Sequence, residues 1–464
     1  MSLYWLAKGL TQSATNLRPH ERWSRAQLKH YQERAFRQMA RYAYQHSPFY
    51  RSLYQGLDVE RAPIADFPIV SKKLLMDNFE EAVTDRRLRL TEIQAHTDVA
   101  GGEELYRGRF MVLRSSGSGG VPGVFPHTRA AVALNVAASF RQLRLNHVKL
   151  TVPWRSVTVA GIHADHLSYR LASLLNGPPL PISSRAFASN APMQELAVHL
   201  DRAQPSMVIA FPSVLDRLLD EQEAGRMRIY PRAVIMAGEN CPGQIVARLH
   251  QLWPRARIID TYAFSEVGVA GTSCSQCGVM HLFEDMAMFE VTDGRGQRVE
   301  PGQRGEHLLV TNLINTALPL IRYEMSDLLT IEPRENPCGS PFASVKAVEG
   351  RADDVLILPK ADGSRVVLTP NTIANIFSEA KLIVGFQVVY RPESIRLRVI
   401  PRGGHGGPEV EQQVATHFLS VPERLGAVPP RIDVQMVETL TTTNGKLKRV
   451  ISEIKLSTPV EPTD

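Results

Sequence analysis

Arg114-Ser115-Ser116-Gly117-Ser118-Gly119-Gly120-Val121-Pro122-Gly123 is the stretch on which the reading of this chain turns. It follows a short apolar run at residues 111–113, so it reads as a hydroxyl- and glycine-rich loop leaving a strand. Backbone N–H groups and hydroxyls in such a loop can wrap phosphates. It is neither a Walker loop nor a dinucleotide fingerprint, because the Gly-Lys-Ser/Thr ending and the required glycine spacing are both missing. Alone, it is balanced between a phosphate loop and a plain turn.

Four further segments carry polar chemistry. Thr261-Tyr262-Ala263-Phe264-Ser265-Glu266 follows an apolar run, and a carboxylate there suits a magnesium ion bridging nucleotide phosphates. Arg322-Tyr323-Glu324-Met325-Ser326-Asp327 places an aspartate to accept bonds from ribose hydroxyls. Gly350-Arg351-Ala352-Asp353-Asp354 stands where the rhythm of the chain changes, and Asn444-Gly445-Lys446-Leu447-Lys448 lies near its end. Each one alone is more often a solvated turn or an ion pair than a site.

Their order changes that balance. Together the segments resemble the adenylate-forming (acyl/aryl-CoA ligase) superfamily, and most closely its phenylacetate–CoA ligase branch with the capsule-biosynthesis-type relatives. The family's Ser-Ser-Gly-Thr-Thr-Gly-Lys-Pro loop matches Ser115 to Pro122, and its Tyr-Gly-Leu-Ser-Glu matches Tyr262 to Glu266. Its Arg-Tyr-Arg-Thr-Arg-Asp matches Arg322 to Asp327, its Gly-Arg-Ser-Asp-Asp matches Gly350 to Asp354, and its terminal Gly-Lys matches Gly445-Lys446. There are departures. Val121 stands where the loop usually has lysine, Ser118 and Gly119 replace threonines, and Glu324 and Ser326 replace two arginines.

The resemblance implies two half-reactions. A carboxylate attacks the α-phosphate of ATP to give an acyl-adenylate and pyrophosphate, and a thiol of CoA or a carrier protein then displaces AMP. It implies that Lys446 and Glu266 are catalytic, Lys446 as a mobile point charge between carboxylate and α-phosphate and Glu266 as the magnesium ligand. It assigns nucleotide binding to Ser115, Ser116, Gly117, Ser118, Gly119, Gly238, Glu239, Tyr262, Ser265, Asp327 and Arg351, with Tyr262 stacking on adenine and Asp327 on the ribose. Asp353 matches the hinge about which a small domain turns between half-reactions. The expected fold is α/β: a large N-terminal domain of layered sheets and helices, residues 1–349, and a small mobile α+β domain, residues 350–464, carrying the lysine.

The residue pattern agrees with that architecture. At roughly 150 residues per domain, 464 residues make two or three domain-sized units. Hydrophobic residues at 44% and charged residues at 22% are globular values, which excludes a mainly disordered chain. Ser24 with Gln27 opens a helix in capping-box form, and Ser71 starts another after Pro68. From about residue 111 to 331 short apolar runs alternate with helical stretches, which reads as α/β layering with a mainly buried sheet. After Gly350 a helix, two strands, a glycine-rich turn, a helix and a strand make a smaller α+β unit.

Several functions are set aside. The net charge of +6 is dispersed, with no block of like charges, so no nucleic acid is expected as a partner. No run approaches the roughly 18 apolar residues of a membrane span, so no stable membrane insertion is expected. Residues 1–10 have Lys8 inside their apolar run and no small-residue cleavage site, a poor signal peptide. A cytoplasmic protein is expected, and a homodimer is left open. His163 and His166 read as an ordinary histidine pair.

Cys274-Ser275-Gln276-Cys277 with His281 four residues on suits a structural zinc. Some phenylacetate–CoA ligase-like proteins complete such a cluster with a Cys-Pro-Cys-Gly turn. Asn336-Pro337-Cys338-Gly339 occupies that place here, implying Cys274, Cys277, His281 and Cys338 as ligands, with Cys241 left outside. The leading reading is an ATP-dependent acid–thiol ligase acting on a small carboxylic acid. The alternatives are an adenylating enzyme with an amine, hydroxyl or carrier-protein acceptor, and a non-catalytic zinc-stabilised member of the same fold.

Overall fold

A computed structural model describes residues 2–99, 105–115, 123–150, 153–161, 167–175, 182–239, 241–351, 354–378, 382–391, 394–402, 407–443 and 446–453. The chain forms two compact units: Met1–Val348 with Asn444–Lys446, and Glu349–Thr443 with Leu447–Asp464.

The large unit is built on a nine-stranded sheet. In space its strands run Asp327–Ile331, Ser344–Arg351, Met280–Leu282, Gly268–Ser273, Arg257–Phe264, Ala233–Ala237, Met207–Ala210, Trp154–Ala160 and Ile182–Ala188. The last five are parallel neighbours, and Arg257–Phe264, Gly268–Ser273 and Met280–Leu282 follow one another antiparallel. Apolar residues on both faces explain the parallel part. Val208, Val234 and Met236 pack with Leu196, Leu215, Leu218 and Leu249 of the crossover helices Met193–Ala203, Pro212–Glu223 and Gly243–Leu252. Met207, Ala233, Ile235 and Ile259 face the other way, onto Leu143 of the helix Arg129–Leu145.

The apolar run at residues 111–113 is not part of this sheet. Phe110–Arg114 pairs with Val124–Thr128, an antiparallel hairpin in register Arg114↔Val124, and the glycine-rich stretch falls in sequence between these two strands. A three-stranded antiparallel sheet, Ala287–Thr292, His307–Asn312 and Tyr323–Met325, lies beside it in the same apolar cluster.

The N-terminal part is held by specific packing. Ser24 Oγ accepts from Gln27 N at 3.2 Å and Gln27 Oε1 from Ser24 N at 2.8 Å, so the capping box starts the helix Arg25–His46. The helix Ser2–Gln12, which carries the run suspected as a poor signal sequence, packs on Arg129–Leu145 and buries Trp5. Behind it Arg141, fully buried, donates to both oxygens of Asp285 and stacks on Phe283 and Phe342. Two buried charges are tolerated because each neutralises the other with good geometry.

The small unit has a four-stranded sheet in the order Arg431–Met436, Ser394–Pro401, Ile383–Tyr390, Val450–Ser452. Phe377 of the helix Pro370–Ser378 and Phe418 of Pro408–Arg424 close its core over Phe386 and Leu397.

Candidate functional site

The carboxylate of Glu266 is placed by a tight turn. Arg257–Phe264 and Gly268–Ser273 form a hairpin, and Glu266 lies between them, 4% exposed. The turn closes only around glycine: Gly268 has φ +103°, and a Cβ there would fall 1.8 Å from Asn135 Oδ1. Asn135 clasps the turn, donating to Val267 O at 3.1 Å and accepting from Val269 N at 2.8 Å. Asn312 Nδ2 donates to the backbone oxygen of Glu266 at 2.9 Å.

The same turn is bonded to the hairpin that carries the glycine loop. Ser265 Oγ donates to Arg114 O at 3.0 Å, and His127 Nε2 meets Ser265 O at 2.8 Å. His127 is fully buried, and burial lowers its pKa to about 4, so it is a neutral imidazole donating from Nε2. The loop's two feet are clipped together: Ser115 N donates to Gly123 O at 2.9 Å and Gly123 N to Ser115 Oγ at 2.9 Å. A Cβ on Gly123 would meet Phe125 at 2.6 Å, so glycine is required for this closure.

Tyr262 and Asp327 are joined directly, the phenol donating to Asp327 Oδ2 at 2.7 Å. The Tyr262 ring is also part of the core, edge-on to Phe264 at 5.2 Å. Glu239 accepts from Ser213 N at 3.1 Å and Ser213 Oγ at 3.0 Å, tying the Gly238-Glu239 segment to the start of Pro212–Glu223. Gly238 has φ +80°, in keeping with the close backbone approach expected of it.

Arg322, first residue of the Arg-Tyr segment, is a structural clamp. It is buried, with φ +46°, and donates to Ala65 O, Phe67 O and Gly296 O at 2.7 to 2.9 Å. Glu324, where the family has arginine, pairs with His307 at 2.7 Å. Ser116, Gly117, Ser118, Gly119, Val121, His163, His166, Asp353 and Gly445 lie outside the described residues, as do the side chains of Arg351 and Lys446. Lys446 opens the two-residue strand Lys446–Leu447, paired with Thr442–Thr443. Lys448, read as a surface charge, meets Asp354 at 3.2 Å.

The cysteine cluster is assembled as expected. The ligand atoms of Cys274, Cys277, His281 and Cys338 all lie within 4.8 Å of one another. Cys277 Sγ is 3.4 Å and Cys338 Sγ 3.3 Å from His281 Nε2, and the two sulfurs are 3.6 Å apart. A tetrahedral zinc with Zn–S of about 2.3 Å and Zn–N of about 2.0 Å separates sulfurs by about 3.8 Å and sulfur from nitrogen by about 3.5 Å. The donor set therefore fits. Burial lowers the pKa of His281 to about 4, leaving a neutral imidazole ready to ligate, and pushes the Cys277 thiol up to about 12. His281 is on the strand Met280–Leu282, whose neighbour Ser344–Arg351 follows the Cys338 loop, so the cluster brings together residues of two separate loops.

His127, Asn135 and Asn312 were not legible as site residues. Their partners lie 138, 132 and 46 positions away, and no local spacing marks them.

No protein-family model matches the chain. It is 25% identical over 375 residues to the phenylacetate-coenzyme A ligase of Aromatoleum evansii, covering 75% of this chain and 76% of that protein. It is 26% identical over 368 residues to the enzyme of the same name from Pseudomonas putida, covering 74% of each. Among solved structures, 2-hydroxyisobutyryl-CoA ligase, in the postadenylation state in complex with R3-HIB-AMP, superposes with a TM-score of 0.72 at 20% identity, over 94% of this chain and 91% of that one. The last likeness is one of fold. The chain is thus similar in sequence to phenylacetate–coenzyme A ligases and shares the fold of a solved CoA ligase.

Proposed function

We propose that this protein is an AMP-forming acid–thiol ligase. A carboxylate oxygen of a small acid attacks the α-phosphorus of ATP, and the bond to pyrophosphate breaks. The thiol sulfur then bonds to the acyl carbon, AMP leaves as the acyl C–O bond breaks, and the thiol proton goes to solvent. The observation that carries the reading is the junction of three separate segments: Tyr262 on Asp327, Ser265 on the foot of the glycine loop, and Glu266 buried in the same turn as Ser265.

In this reading Asp327, held by the Tyr262 phenol, accepts the ribose hydroxyls. Glu266 offers the hard carboxylate oxygens that magnesium prefers, and the ion when bound neutralises phosphate charge. Lys446 faces the carboxylate and α-phosphate in the first half-reaction, and Asp353 is the pivot of the small domain, residues 350–464. Arg351 assists at the ribose. CoA is the favoured thiol, since both sequence relatives carry it in their names. Cys274, Cys277, His281 and Cys338 hold a structural zinc, which suits the reduced thiols of a cytoplasmic protein.

The test is carboxylate-dependent ATP–pyrophosphate exchange across aryl, aryl-acetic and fatty acids. Exchange with at least one class is expected, and Lys446→Ala should depress it by about 3–4 kcal/mol of transition-state stabilisation. Exchange with none of the acids, or wild-type rates in Lys446→Ala, would sink the assignment.

A further inference from the structure

Inside the small unit, Gln387 is the one polar residue of the apolar run Phe386-Gln387-Val388-Val389, and it is fully buried. It stands on Ile383–Tyr390, an inner strand of the four-stranded sheet, opposite Arg398 of Ser394–Pro401. Its neighbours Phe386 and Val388 pack with Phe377 and Phe418 of the two helices. Side chains alternate along a strand, so Gln387 points to the other face, where a buried amide has to find partners. It meets the segment that runs from the edge strand Arg431–Met436 across to the opposite edge, Val450–Ser452. On the same face Leu440 lies over Gly385, where a Cβ would meet its Cδ1 at 3.2 Å.

The Gln387 amide holds that segment at two points. Its Nε2 donates to Thr441 O at 2.9 Å and to Lys448 O at 2.7 Å. Its Oε1 accepts from Arg398 Nη1 at 2.9 Å. A guanidinium only donates, so the amide oxygen faces Arg398 and both N–H groups face the carbonyls. Arg398 Nη1 also donates to Thr441 Oγ1 at 2.6 Å, which binds Thr441 through side chain and backbone alike. Lys448 is fixed a second time by its own side chain, with Nζ 3.2 Å from Asp354. Beyond it the ladder takes over, Val388 N donating to Arg449 O at 2.7 Å.

Thr441 and Lys448 bracket the paired strands Thr442–Thr443 and Lys446–Leu447. One buried amide thus fastens both ends of the stretch that carries Lys446. We infer that Gln387 is a positioning residue for adenylation: by closing the base of residues 442–447 it fixes the backbone from which Lys446 acts. The inference rests on the adenylation reading above. The need for such a residue is physical. A lysine carries its charge on a flexible four-carbon stem, so precision has to come from the backbone beneath it. A catalytic group displaced by about 1 Å can lose about a hundred-fold in rate. Gln387 itself takes no part in the chemistry, because both its amide protons are spent on the two carbonyls.

The test separates the two half-reactions in the intact protein. Gln387→Met keeps the length of the side chain and removes its donors. Carboxylate-dependent ATP–pyrophosphate exchange should fall about ten- to a hundred-fold in kcat, with KM for ATP and acid within about two-fold. Single-turnover transfer from preformed acyl-adenylate to CoA, which does not call on the lysine, should stay within about two-fold of wild type. In a Lys446→Ala background Gln387→Met should lower exchange no further, because groups that act as one unit are not additive. Arg398→Met is the milder variant, at a half-buried position: it keeps both amide donors and only frees the amide to turn over. It should lower exchange about three- to ten-fold and again spare transfer. Equal loss in both half-reactions, or a further loss on top of Lys446→Ala, would mean a merely structural role and overturn the inference. Unchanged exchange in both Gln387→Met and Arg398→Met would overturn it as well. Wild-type exchange in Lys446→Ala alone would instead remove the adenylation reading, and the inference with it, a result separate from the others.

Discussion

At the scale of the residue, the candidate site is arranged by groups that take no part in the chemistry. His127 is the clearest. It is wholly buried, holds Ser265 O, and titrates near 4 in the folded protein against about 6.5 in an unfolded chain. A base whose folded pKa is lowered costs stability once the unfolded chain can take up the proton. Its contribution is therefore intact above about pH 6.5 and is lost as pH falls toward about 4, by up to about 3 kcal/mol. Asp285, held down at about 2 through Arg141 and His20 despite its burial, adds its own loss only below about pH 4, so the two windows separate. His281 shares the direction of His127, so the difference between proteins is the readout. Urea unfolding at pH 7.5, 6 and 5 should show a shallower decline for His127→Gln than for wild type, and identical declines would rule His127 out as the source. Tyr262, Ser265, Glu266 and Asp327 were legible in the sequence because their chemistry and order are local. His127 and Asn135 were not, because what fixes them is a backbone group more than a hundred residues away.

At the scale of the element, legibility followed the strength of the local signal. The capping box at Ser24 and the cap at Ser71 start helices where expected, since side chain and backbone satisfy each other within four residues. Trp154–Ala160 and Ile182–Ala188 are not legible as strands: Arg155, Ser156, Thr158, Ser183 and Ser184 break the apolar run, and pairing with each other and with Met207–Ala210 makes them sheet. The hairpin at residues 110–128 was read as one layer of the large sheet for the opposite reason, its apolar residues being buried by the neighbouring three-stranded sheet. The cysteine cluster joins elements that are distant in sequence, and its prediction belongs here. Cys277 and Cys338 are separated by 61 positions, yet their sulfurs are 3.6 Å apart. A metal joining them would restrain the loop ahead of Met280–Leu282 and the one ahead of Ser344–Arg351 together. Protein purified without a histidine tag should carry close to one zinc per chain. Cys338→Ser should lower both zinc content and Tm, by several degrees, while leaving carboxylate-dependent exchange measurable at low temperature. Metal-free protein of undiminished Tm would dispose of the site.

At the scale of the whole molecule, the two half-reactions ask for different surroundings at one acyl group. The first needs a cation between carboxylate and α-phosphate, and the second needs room for a thiol to reach the same carbon. A single rigid arrangement serves one of these at the expense of the other. The chain passes out of the large unit after Val348. Asp353, five residues past the division, is where a change of backbone angle would be absorbed if the small unit turns. Proline fixes φ near −65° and removes an N–H, so Asp353→Pro should restrict that turn, whereas Asp353→Ala removes only the carboxylate. Exchange reports the first half-reaction, and single-turnover transfer from preformed acyl-adenylate to CoA reports the second. With proline the two rates should diverge by about ten-fold or more, because whichever arrangement the ring disfavours loses its step selectively. With alanine they should stay together and near wild type. An equal fall in both rates for Asp353→Pro would mean that the substitution merely damages the fold, and the turn would have to be placed elsewhere in the chain.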